Sequence, residues 1–178
     1  MRARQLGTWM AALTLVVGCN QPADGTANRE PSTAAKQFDP CSIPDDAIAA
    51  AGLDPATRSA GAGNGLTTPG WQICSWDGPS GDAWYYYSIS FSMNHDLEEI
   101  RLQPGNVDHS EIEFAGRVGL QYRMDLRERL SVCNIAFDTQ AGVAAVMASS
   151  FRASQTKGDL CEIVRQHTEQ LHGVFPAS

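Results

Sequence analysis

Trp84-Tyr85-Tyr86-Tyr87-Ser88-Ile89-Ser90-Phe91-Ser92-Met93 is the stretch that decides the fold class. On an extended chain, Tyr85, Tyr87, Ile89, Phe91 and Met93 share one side, and Trp84, Tyr86, Ser88, Ser90 and Ser92 share the other. Period two sustained over this length predicts a β-strand, because successive side chains of an extended backbone point to opposite faces. One face should meet a core, and the serine face should be wet or lightly covered. Just upstream, Trp71, Ile73 and Ser75 alternate with Gln72, Cys74 and Trp76, and Asp77 to Gly81 is a cluster of turn residues. Residues 71–76 and 84–93 therefore predict a hairpin with a long turn.

Outward from this hairpin the signals alternate between helix and strand. Ser42 with Asp45 three places on, Pro44 in the first turn and Gly52 as a stop predict a short helix over 43–51. Residues 54–70, rich in Gly, Pro, Thr and Ala, predict a surface loop. The glycines at 61–65 lack the following Lys-Ser/Thr of a phosphate cradle. Asn94 is the expected cap of a helix carrying Leu97, Ile100 and Arg101, with Asp96, Glu98 and Glu99 where the backbone dipole favours acids. Pro104-Gly105 ends it, and 106–111 is polar enough to predict a loop. Ile112, Phe114, Val118, Leu120, Tyr122 and Met124 predict a strand, a bend or bulge at 115–117, and another strand. Residues 132–137 and 143–149 predict strands around a hairpin loop at Asp138–Gly142. Asp159 caps a last helix with Leu160, Ile163, Val164, His167 and Leu171 at helical spacing, stopped by Gly173. Strands and helices do not alternate regularly, so the expected class is α+β: a mainly antiparallel sheet with packed helices, in one domain over 39–178.

Five cysteines punctuate the chain. Setting Cys19 aside, Cys41, Cys74, Cys133 and Cys161 predict two disulfides if the protein is exported, with three possible connectivities. Cys41–Cys74 and Cys133–Cys161 are the more local closures and are preferred. With no CxxC pair, neither a zinc site nor a dithiol redox site is expected.

The N-terminus carries an address. Arg2 and Arg4 precede an apolar run from Thr8 to Val17. As a helix that run would rise about 15 Å, half of a ~30 Å hydrocarbon core, so a signal segment over 1–18 is expected rather than a membrane span. Gly18-Cys19 directly after it is the pattern of a lipobox, with cleavage before Cys19 and acylation of the thiol. Multiple acyl chains would give durable anchoring at the extracytoplasmic face of the cell membrane. Residues 19–38, polar and without a period, predict a flexible tether with a reach of about 25 Å. With 20 acidic against 13 basic residues, the chain has a formal charge of -7. Such a chain is a poor partner for nucleic acid.

These features in order resemble the actinobacterial lipoproteins grouped as domain of unknown function 3558. The resemblance rests on the lipobox at Cys19, the polar spacer, Asp39-Pro40-Cys41-Ser42 opening the domain, and Cys74-Ser75-Trp76. It rests further on Gly116-Arg117, Cys133 in a strand and Cys161 opening the final helix. It implies an exported, lipid-anchored α+β protein with no agreed activity and no established catalytic residues.

Candidate chemistry is sparse. His167 and His172 are five apart, which does not suit a metal pair on one helical face, and Ser149-Ser150 lacks a nucleophile elbow. No cofactor, metal or catalytic residue is expected. Trp84 and Tyr86 opposite the core face, with Arg117, are the candidate recognition surface for an envelope protein. The leading expectation is a non-enzymatic binding module. The alternatives are a carrier of a small apolar ligand, expected to show a cavity above ~300 Å³, and a hydrolase, expected to place a histidine against a serine or cysteine.

Overall fold

The computed structural model describes residues 37–62, 65–79, 81, 83–126, 131–152, 154 and 156–178. The expected signal, Cys19 and most of the spacer lie outside the described residues. A 3-10 turn, Pro40–Ser42, leads into α1 (Asp45–Ala50), β1 (Asp54–Ala60), β2 (Gln72–Asp77) and β3 (Tyr85–Ser92). There follow α2 (Leu97–Leu102), β4 (Asn106–Phe114), β5 (Arg117–Met124), β6 (Val132–Thr139), β7 (Gly142–Ser150) and α3 (Leu160–Gln170). The strands form one seven-stranded sheet in the order β1-β2-β3-β7-β6-β5-β4. Every neighbouring pair is antiparallel. The chain lays down β1 to β3, crosses through α2 to the far edge, and meanders back so that β7 pairs with β3.

The aromatic-serine stretch becomes the centre of this sheet. Tyr87, Ile89 and Phe91 are fully buried on one face, while Met93 falls beyond the strand and is 44% exposed. Each such burial stabilises by about 1.5–3 kcal/mol. Their partners are α1 and α3: Ile48, Leu160, Val164 and Leu171 complete the same core. The tyrosine hydroxyls find hydrogen bonds there, as buried polar groups require. Tyr87 Oη lies 3.0 Å from Thr168 Oγ1. Tyr85 Oη lies 2.8 Å from His167 Nε2, and His167 Nδ1 lies 2.7 Å from the Ala51 carbonyl oxygen. Since a carbonyl only accepts, Nδ1 carries the proton and Tyr85 donates to Nε2. Burial lowers the His167 pKa, against which the bond to Ala51 works in the opposite direction.

Both bridges form as expected, Cys41–Cys74 and Cys133–Cys161. The first ties the opening turn to β2 and the second ties β6 to α3. Phe38, the last residue of the expected spacer, packs edge-on against Phe91 with ring centroids 5.5 Å apart.

Five local expectations need correction. Residues 54–60, expected as loop, form β1, and 106–111, also expected as loop, open β4. These are the two edges of the sheet. Edge strands need no alternating apolar face, and polar, charged edges discourage pairing with other chains. Arg58 on β1 donates to the Ile43 carbonyl at 2.7 Å and pairs with Asp45, tying the edge to α1. The cap of α2 is Asp96 rather than Asn94: its carboxylate accepts from Glu99 N at 2.8 Å, and Glu99 returns the bond to complete a capping box. The bend expected at 115–117 is a two-residue hairpin turn, with Ala115 at φ 46° and Gly116 at φ 76°, the left-handed pair that joins twisted strands. The first helix is also shorter than expected, starting at Asp45. It ends where expected, with Gly52 at φ 79°. There Gly52 N bonds Ala49 O and Leu53 N bonds Ile48 O, at 2.9 and 3.2 Å.

Candidate functional site

The second face of the sheet carries the serines of β3. In register with them are Ile73 and Ser75 of β2, Ala145 and Met147 of β7, Asn134 and Ala136 of β6, and Leu120 and Tyr122 of β5. Small side chains at 88, 90, 145 and 136 leave the middle of this face low. Helix α2 lies over one side of it, where Ile100 packs with Leu120, Tyr122, Ala136 and Val143 in a smaller core. The segment before β2, through Thr68, Pro69 and Trp71, closes another side. Between them is an open cleft of about 440 Å³, within the ~300–1,000 Å³ range of small-molecule sites.

The cleft is apolar with a polar floor. Ile73, Ile100, Met124, Met147, Trp71 and Tyr122 supply most of its walls, and Ser88, Ser90 and Asn134 the floor. Asn134 donates from Nδ2 to the Tyr122 carbonyl at 3.4 Å. Burial pushes the Tyr122 phenol up to about 12, so it stays a neutral hydroxyl at physiological pH. At the rim His95 stacks on Trp71, rings 5.2 Å apart and 11° from parallel, and bonds Glu99 at 2.9 Å. These are the ionisable groups of the wall besides Tyr122; no Lys or Arg is among the described lining residues.

Ser88 stands out within this floor. Among the described residues five serines are buried: Ser75, Ser88, Ser92, Ser149 and Ser150. Ser75 donates to Ser59 O, Ser92 accepts from Asn94 N, Ser149 donates to Ser150 O, and Ser150 donates to Ser131 O. The Ser88 hydroxyl, in a residue 1% exposed, has no partner among the described residues. An unmade hydrogen bond of this kind costs about 1–3 kcal/mol.

The residues expected to form a recognition surface are not brought together. Trp84 is half-buried, packs on the main core and meets Tyr85 edge-on at 5.0 Å. Tyr86 is half-buried and faces Phe151, with centroids 5.8 Å apart. Arg117 lies at the other end of the sheet, past the level of Ser92, about 20 Å away for six residues at ~3.3 Å each. It donates to the Pro176 carbonyl at 2.8 Å and lies over the Phe137 ring, holding the C-terminal segment. None of the residues that line the cleft is among the candidate site residues of the sequence. Their one sequence signal was the run of serines on a central strand, which spares volume where larger residues would fill it.

No histidine among the described residues bonds a serine or cysteine; their partners include Glu99, Tyr85, Ala51, Gln170 and Glu169. Nor do the described residues gather three His, Cys, Asp or Glu side chains suited to a metal. No described helix is long and apolar enough to cross a membrane. No curated protein and no solved structure matches the chain. A family model described as "Protein of unknown function (DUF3558)" matches residues 14–173, a span that takes in all five cysteines and the whole cleft. The chain therefore belongs to this family of actinobacterial lipoproteins.

Proposed function

We propose that the chain is exported, acylated at Cys19, and held at the extracytoplasmic face of the membrane as a ligand-binding module without catalytic activity. The observation that carries the binding role is the open cleft of about 440 Å³ with the unpartnered Ser88 hydroxyl in its floor. A folded domain rarely keeps both a void and an unsatisfied buried group at one place unless something else completes them. Export is supported by two disulfides, which form and persist in oxidising compartments. They account for four cysteines and leave Cys19, directly behind the apolar segment, as the remaining one.

Two substitutions test the two halves. Cys19→Ala should move the protein from the detergent phase to the aqueous phase; retention in the detergent phase would refute the anchor. Ala145→Phe, on the central strand of the cleft floor, should abolish small-molecule binding while both disulfides stay formed. Binding that survives it would place the ligand elsewhere.

A further inference from the structure

We infer that the cleft takes an uncharged ligand with an apolar body and one hydroxylated or amide end, the polar end seated on Ser88, Ser90 and Asn134. This rests on the reading of the cleft as a ligand site and adds the chemistry of what fills it.

The charges of the described lining disfavour the common anionic ligands. Phosphate and carboxylate groups are recognised by Arg, Lys or clustered backbone N–H groups. The described lining offers no Arg or Lys, and its one carboxylate, Glu99, is bonded to His95. The chain as a whole is acidic, at -7, so its field also opposes an anion. A sugar-like polyol fits the aliphatic part of the walls poorly. It would present hydroxyls around its whole perimeter, and Ile73, Ile100, Met124 and Met147 could satisfy none of them.

The floor defines the polar end. Ser88 has an unused donor and acceptor, Ser90 is half-buried beside it, and Asn134 completes the set. A hydroxyl or amide both donates and accepts, which matches a serine hydroxyl. Met147, the cross-strand neighbour of Ser88, is an unbranched side chain that adapts its shape at low cost, so it can yield as the polar end approaches. The apolar body then lies against the walls and leads outward. The elements framing the cleft carry exposed Leu66, Leu102 and Met124, at 70%, 71% and 36%. An apolar chain leaving the mouth would find these three side chains there.

The test uses two probes of equal acyl length, 1-octanoylglycerol and octanoate, on the oxidised full-length chain carrying Cys19→Ala so that no acyl group competes. Binding is measured by calorimetry, and its location by the indole N–H resonance of Trp71. The neutral probe should bind at least tenfold tighter than the anion and shift the Trp71 signal. Ser88→Ala should weaken that binding about tenfold, or about 1.4 kcal/mol, without lowering Tm. Ordinary loss of structure would lower both. Octanoate binding as tightly as the glyceride, or a Ser88→Ala affinity equal to wild type, would overturn the ligand class while leaving the cleft as a site. Neither probe binding, or binding that persists in Ala145→Phe, would overturn the cleft assignment as well.

Discussion

Removing the Cys133–Cys161 bridge by Cys133→Ala/Cys161→Ala tests how this domain is held together. The bridge joins β6 to α3 across 28 residues of sequence. If it acts by restricting the unfolded chain, closing a loop of that length is worth about 12 cal/mol/K, or about 3.6 kcal/mol at 25 °C. A melting entropy of about 2.1 cal/mol/K per residue over roughly 140 residues gives about 0.3 kcal/mol/K, so Tm should fall by about 12 °C. The mechanism makes a second demand. An unfolded chain freed of its cross-link expands and exposes more surface, so the urea m-value should rise. Equilibrium unfolding followed by circular dichroism gives both quantities. A loss below about 1 kcal/mol would refute the loop argument. A full loss with m unchanged would refute it too, placing the effect in native contacts between α3 and the sheet.

Two further perturbations probe the packing. The pKa of buried His167 is lowered by desolvation, so the unfolded chain binds its proton first as pH falls. Its contribution to stability is complete above the ordinary imidazole value of about 6.5, declines as pH falls through the lowered folded pKa, and then levels off. Urea unfolding between pH 7.5 and 5 should therefore show a steeper loss in wild type than in His167→Gln; equal slopes would refute the assignment. A Cβ on Gly142 would lie 2.1 Å from the Ser92 carbonyl oxygen, whereas one on Gly105, at φ +96°, would meet nothing within 4 Å. Gly142→Ala should cost more than about 2 kcal/mol and Gly105→Ala about 1–2 kcal/mol, as measured by denaturant titration; the reverse order would contradict the sheet register at β7.

The legible parts of this fold are those buried on one side. Residues 84–93 alternate because one face of β3 is core, and the last helix shows its stripe because α3 covers that core. β1 and the first part of β4, residues 106–111, read as loop for the opposite reason. As edges they need no apolar face, and Asp-Pro-Ala-Thr-Arg-Ser-Ala and Asn-Val-Asp-His-Ser-Glu look like loops until a neighbour supplies their hydrogen bonds. Asn94 and Asp96 have similar capping chemistry, and only the reach of Asp96 to Glu99 N distinguishes them.

By itself, the sequence determined the class of the fold, the cysteines available to staple it and the address-like front end, because each is written in local spacing and residue type. The tertiary structure decided where function lies. The serines of β3 were visible as small polar side chains, but their meaning depends on Ala136, Ala145 and Met147, which come from distant parts of the chain and reach them only through strand register. That register also carries Arg117 to the end of the sheet away from Trp84 and Tyr86. A cleft is the space several segments leave unfilled, and no single segment encodes it.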